Sequence, residues 1–281
     1  YCSAQPDQIG VLGVGLMGTI VIKRLRKEFL ERRSARRKFN GPGVEQGQPL
    51  LVLDEIDLEC KDGELICVLG PSGCGKSTLL RIMAGFDCKS SGSVTIDGRE
   101  VNGPSSENIF VFQHNGLLPW LTVAENVGLG LRNWKDETAR DERVQEYIDI
   151  VNLSGFEQHY PHQLSGGMQR RAELARALVV SPEVMFMDEP FAGLDYLTRL
   201  KMQEEIINMH EYFRKTVVFI THDIDEAMTM GDRVIVMSER PARVKLDVEL
   251  TAPHPRDFLS DPELSELRKS VYHELGVHHA L

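Results

Sequence analysis

The stretch Gly70-Pro71-Ser72-Gly73-Cys74-Gly75-Lys76-Ser77-Thr78 constrains this chain more than any other. Its spacing, G-x-x-x-x-G-K-[ST], is that of a loop that cradles phosphate. Gly70, Gly73 and Gly75 can turn successive backbone N–H groups toward one anion with no Cβ in the way. Before the loop, Leu65-Ile66-Cys67-Val68-Leu69 is an unbroken apolar run, the pattern of a strand buried on both faces. After it, Ser77 to Ala84 reads as a helix start, whose dipole adds partial positive charge at the same point. Lys76 is placed to reach the β- and γ-phosphates of a nucleotide, and the Ser77 hydroxyl to bind Mg²⁺.

A strand–loop–helix unit needs more strands beside it. Apolar runs recur at Val184-Met185-Phe186-Met187, Val217-Val218-Phe219-Ile220 and Val234-Ile235-Val236-Met237, separated by helical patterns. That alternation predicts a mostly parallel α/β sheet. Leu50 to Leu58 alternates as a strand, and Lys61-Asp62-Gly63 is a turn. Val94-Thr95-Ile96 followed by Asp97-Gly98 reads as a strand and hairpin turn. Ile109 to Phe112 is a short strand ending at Gln113. From His114 to Gln163 the pattern is helical, with Val144, Tyr147, Ile148 and Val151 on one face, which predicts a helical insertion within the sheet.

The first forty residues differ from the rest. Gly13-Val14-Gly15-Leu16-Met17-Gly18 fits G-x-G-x-x-G, but a basic run, Lys23 to Lys38, follows it where a dinucleotide site needs a full βαβ unit. A second reading of the segment is the end of a membrane helix with a positive cytosolic flank; residues 1–27 are expected instead to be a poorly ordered leader, dispensable for activity. The folded domain is expected from residue 28, with Phe29 to Phe39 as its first strand. The chain begins with Tyr1, as a fragment or processed product would. A net charge of −10 argues against a nucleic-acid-binding body. Five cysteines without C-x-x-C spacing read as reduced thiols, not a disulfide frame or zinc site. No apolar run reaches the ~18 residues that a spanning helix needs.

Two further features carry chemistry. Asp188-Glu189 closes an apolar run, and in open α/β sheets ligands sit beyond the carboxyl ends of the strands. Asp188 is placed to complete a Mg²⁺ shell, and Glu189 to polarise a water as general base. Ser165-Gly166-Gly167 can cap a helix and expose its N–H groups, which makes a second anion site. One nucleotide does not need two such sites in one chain, whereas two copies facing each other do.

With these residues in hand, the chain resembles the ATP-binding-cassette ATPases over roughly residues 36–240. The resemblance rests on GPSGCGKST, Gln113, LSGGM from Leu164, MDE ending at Glu189, Gly193-Leu194-Asp195 and His222. It implies a P-loop NTPase core with an antiparallel β subdomain and a helical insertion, binding ATP and Mg²⁺. It also implies roles: Gln113 linking the Mg²⁺ site to the helical part, His222 at the γ-phosphate, and Asp195 against a second copy paired head to tail. Phe39 is the expected aromatic on adenine, with Tyr1 and Phe29 as alternatives.

Leu117-Leu118-Pro119-Trp120-Leu121-Thr122-Val123, Glu125-Asn126-Val127 and Met237-Ser238-Glu239-Arg240-Pro241 are similar to the importer branch serving nitrate, sulfonate and taurine. That similarity implies a peripheral subunit on the cytoplasmic face of a membrane. It would dock a permease near Leu117, Leu118, Trp120 and Leu121 and serve an extracytoplasmic solute-binding protein indirectly. Arg170 departs from the family pattern, where a second Gln is common. Residues 241–281 read as a short extension, with Val244 to Leu250 as an edge strand and a helix capped at Asp261-Pro262. The alternative function is a soluble ATPase of the same family acting on DNA or ribosomes.

Overall fold

Two kinds of apolar pattern give two kinds of sheet. The computed structural model describes residues 18–30, 49–105, 107–112, 116–254, 256 and 261–276, without the side chain of Met209. In chain order the strands are β1 (Ile20–Leu30), β2 (Pro49–Cys60), β3 (Leu65–Leu69), β4 (Ser91–Ile96), β5 (Arg99–Glu100) and β6 (Asn108–Val111), then β7 (Val184–Asp188), β8 (Thr216–Ile220), β9 (Arg233–Met237) and β10 (Val244–Glu249). The helices are α1 (Lys76–Met83), α2 (Val123–Val127), α3 (Glu137–Ile150), α4 (Gly166–Leu178), α5 (Tyr196–Phe213), α6 (Ile224–Met230) and α7 (Pro262–Glu274).

Strands with alternating burial build an antiparallel sheet in the order β2-β1-β4-β5. Unbroken apolar strands build the second sheet, β10-β9-β3-β8-β7-β6, which is parallel except for β10. Every residue of β3, β7 and β8 is buried. One core lies between the sheets, where Leu79, Leu80 and Met83 of α1 pack with Ile20, Ile22 and Leu53. The other lies on the far side of the parallel sheet, where Tyr147, Ile148 and Leu174 meet Met185 and Phe219.

Three expected boundaries are corrected. The first strand is Ile20–Leu30, not Phe29 to Phe39, so the antiparallel sheet begins eight residues before residue 28. Its Ile20, Ile22 and Leu25 are buried while Lys23 and Arg24 face solvent; a half-buried strand looks like a charged run when its outer face is basic. Of the G-x-G-x-x-G run only Gly18 falls within the described residues, and its N–H donates to Asp97 Oδ1 at 2.8 Å. The helical part does not stop at residue 163: α4 packs against α2 and α3 and continues it to Leu178. β10 joins the main sheet beside β9, and Leu264 and Val271 of α7 enter the core, so the segment after 240 is part of the body.

Candidate nucleotide site

The carboxyl end of β3 turns through residues 70–75 into α1, as a strand–loop–helix pattern requires. Gly75 takes φ 127°, and a Cβ there would stand 2.9 Å from Val52 Cγ1, so β2 presses directly on the loop. Lys76 is buried, and its Nζ donates to the carbonyls of Gly70 (2.7 Å) and Pro71 (3.0 Å). Cys74 is buried beneath the loop, its N–H donating to Pro71 O.

Asp188 ends β7 next to this turn. Ser77 Oγ donates to Asp188 Oδ1 at 3.1 Å. Burial pushes the Asp188 carboxyl above its ordinary range, and the bond from Ser77 pulls against that shift. Glu189 follows with φ 46°, an uncommon conformation for a non-glycine residue, held by its N–H donating to Ile220 O at 3.0 Å. The Glu189 carboxylate lies 3.5 Å from Nδ1 of His222, just beyond the end of β8. A cavity of about 690 Å³ opens over these groups, lined by Ser72, Lys76, Thr78, Glu189, His222 and the ring of Phe29. Phe29 is 40% exposed, with Lys27 Nζ 4.6 Å from its centroid.

The structure thus brings together Gly70 to Thr78, Asp188, Glu189 and His222. Phe39 and Gln113 lie outside the described residues. Phe29, the sequence alternative to Phe39, is the aromatic that lines the cavity.

Ser165, Gly166, Gly167 and Asp195 form a separate surface. Ser165 Oγ accepts from Met168 N at 3.3 Å and caps α4. Gly166 faces open space, and a Cβ on Gly167 would touch Leu194 Cδ2 at 3.5 Å. Asp195 caps α5 by accepting from Thr198 N at 3.0 Å, and its bonds to Thr198 hold its carboxyl below the ordinary range. None of these residues lines the cavity over the phosphate loop.

Two structural residues went unread. Asn126 is fully buried, and its side chain bonds Leu118 N, Leu118 O, Leu121 O and Thr122 O, so it fixes the loop that carries Trp120. Trp120 is 68% exposed at the tip of that loop, whereas Leu117 is buried in the core and offers no surface to a partner. Arg170, also buried, pairs with Glu173 (2.6 Å) and donates to the carbonyls of Phe112 (2.6 Å), Glu189 (3.4 Å) and Pro190. Its one sequence signal is the departure from glutamine.

Comparison with known proteins gives the family. Residues 53–192 match the family described as "ABC transporter". The aliphatic sulfonates import ATP-binding protein SsuB of Bacillus cereus (strain ATCC 10987 / NRS 248) is 43% identical over 226 residues, which cover 80% of this chain and 89% of that protein. The taurine import ATP-binding protein TauB of Pelagibacter ubique (strain HTCC1062) is 43% identical over 229 residues, covering 80% and 84%. Among solved structures, the dimeric structure of MJ0796, a bacterial ABC transporter cassette, superposes with a TM-score of 0.70 at 32% identity, covering 83% of this chain and all of that one. A post-hydrolysis dimer of the same cassette, bound to ADP and Pi, superposes with a TM-score of 0.69 at 31% identity over 83% of this chain and all of that one. The chain belongs to the ABC transporter ATPases. It is an ATP-hydrolysing subunit of that family. Among the described residues no helix is long and apolar enough to cross a membrane.

Proposed function

We propose that this chain energises an importer of a small sulfonate-type or related anionic solute, working as a head-to-tail pair beneath a separate permease. The observation that carries the reading is the distance in role between the two surfaces. The cavity is lined by the phosphate loop, Glu189 and His222, while Ser165 to Gly167 and Asp195 stand outside it, and among the described residues nothing lies within 4 Å of where a Cβ on Gly166 would be. In a pair, each copy's Ser165 surface covers the other's ATP. The dimeric form of the similar cassette supports this. SsuB and TauB, which match most of the chain, are named as import subunits, and nothing supports the DNA or ribosome alternative.

In this reading Phe29 stacks on adenine, and the loop's N–H groups and Lys76 hold the β- and γ-phosphates. Ser77 Oγ and Asp188 fit a Mg²⁺ ion: both are hard oxygen donors, already 3.1 Å apart at the carboxyl ends of the strands. The ion supplies charge neutralisation on the phosphate oxygens. Glu189 takes a proton from the attacking water, and His222, 3.5 Å from Glu189, orients the γ-phosphate end. Gln113, outside the described residues, keeps the role that the family resemblance implies, a link from the Mg²⁺ site to the helical part. The permease docks at Trp120, with Leu118 and Leu121 half-buried beside it. The rings of Phe86, Phe110 and Phe112 form a cluster with centroids 4.5–5.6 Å apart, Phe86 edge-on to the other two. The subunit lies on the cytoplasmic face of the membrane.

A mixing experiment tests the pairing. Lys76→Ala removes the phosphate charge, and Gly166→Asp puts a carboxylate where the second copy's phosphates would arrive. Each variant alone is expected to be inactive. Their mixture should regain roughly a quarter of wild-type hydrolysis, because half the pairs are mixed and each keeps one intact composite site. No recovery in a mixture that still pairs with ATP would rule out shared sites.

A further inference from the structure

The loop between β9 and β10 carries a second cation to the phosphate loop, and it is held at both ends. Met237, which ends β9, packs on Gly70: a Cβ there would lie 3.0 Å from Met237 O. On the other side Ala242 N donates to Val52 O at 2.9 Å and Asp54 N donates to Ala242 O at 3.0 Å. Arg243 pairs with Asp54 at 2.6 Å. Within the loop Ser238 Oγ accepts from Arg243 N at 2.9 Å. Residues 239–241 are thereby fixed beside the nucleotide cavity, and Arg240 lines it. Its Nη2 stands 3.1 Å from where a Cβ on Gly73 would be.

Among the described residues no carboxylate pairs with Arg240, although the neighbouring Arg243 and Arg26 share Asp54. An unpaired guanidinium above a loop of inward-turned N–H groups sets positive charge against positive charge. An anion between them removes the repulsion, and the planar fork of arginine matches two phosphate oxygens. We propose that Arg240 is a phosphate contact of the bound nucleotide, closing over its β- or γ-phosphate from outside the loop. The proposal rests on the nucleotide reading above, and the site it completes takes a nucleoside di- or triphosphate.

The test is calorimetric titration of ADP and of ATP, with Mg²⁺, into the whole subunit and its Arg240→Ala and Arg240→Lys variants. Arg240 is exposed, so both variants should keep the wild-type circular dichroism. Arg240→Ala is expected to bind about tenfold more weakly, with only part of the loss restored in Arg240→Lys, which keeps the charge but not the two-pronged contact. Equal losses for ADP and ATP put the guanidinium on the β-phosphate, and a loss for ATP alone puts it on the γ-phosphate. Unchanged affinity for both nucleotides in Arg240→Ala overturns the proposal. If ATP-driven pairing nevertheless weakens, the guanidinium serves the second copy's surface instead of the nucleotide. Wild-type protein that binds neither nucleotide would sink the nucleotide reading itself, a result distinct from any difference between variants.

Discussion

The cavity over the phosphate loop and the surface around Ser165 are made in opposite ways. In the cavity, Lys76 and Asp188 are buried and bonded within the chain. Around Ser165, the polar groups are exposed and spent on capping two helices, and Gly166 meets nothing. The first surface is bonded within one chain; the second leaves Gly166 open at a helix start, where the proposed pairing puts the other copy's ATP. Under the proposed head-to-tail pairing, such a division would make hydrolysis conditional on assembly, while nucleotide binding stays with the single chain.

The largest effect should come from breaking the finished half at its foundation. Deleting residues 1–27 removes Ile20, Ile22 and Leu25, each 0–2% exposed, from the middle strand beside β2 and β4. Loss of several buried aliphatic side chains at about 2–5 kcal/mol each exceeds the stability of most domains. The truncated chain should show no cooperative thermal transition; a folded, active product would mean that β1 is dispensable. Glu189→Gln keeps the shape of the finished half and removes its base. Turnover should fall by about 10²–10⁴ with ATP affinity kept, and ATP should trap a dimer visible by size exclusion.

Much of the fold was legible because its strands are dry on both faces. Runs such as Val184 to Met187 and Val217 to Ile220 can be little else in a chain of this kind. β1 was hidden by two things: basic residues on its outer face, and register shifts after Ile22, Leu25 and Lys27 that break the period of two. The phosphate loop, Asp188-Glu189 and the Ser165 cap were legible because their chemistry is local in sequence. Arg170 and Asn126 were not, because they bond carbonyls that the fold brings from elsewhere, and no spacing records that. Phe29 fell between the two: its neighbour in the cavity, Leu50, lies across a strand pair whose existence had not been read.

Two smaller tests sharpen the contrast. Trp120→Ala should weaken permease association by about 2 kcal/mol and lower uptake in reconstituted vesicles. Hydrolysis by the isolated subunit should stay within about threefold, since under ~1 kcal/mol of barrier is at stake. Unaltered uptake with the subunit folded would move the docking surface off this loop. Ser165→Ala deletes one cap and should cost about 1 kcal/mol. The melting temperature should drop by roughly 2–4 °C, while ATP binding by the lone chain is unchanged. A fall in that affinity would join the two surfaces within one chain and erase the distinction.

Arg170 gives the divided site its mechanical character. One guanidinium on α4 grips the carbonyls of Phe112, Glu189 and Pro190, so the helix that begins at Ser165 is bolted to the strand ends flanking the reaction. Such a joint has no backlash. In the proposed pair, a push from the second copy on the start of α4 would pass through Arg170 to the backbone of Glu189.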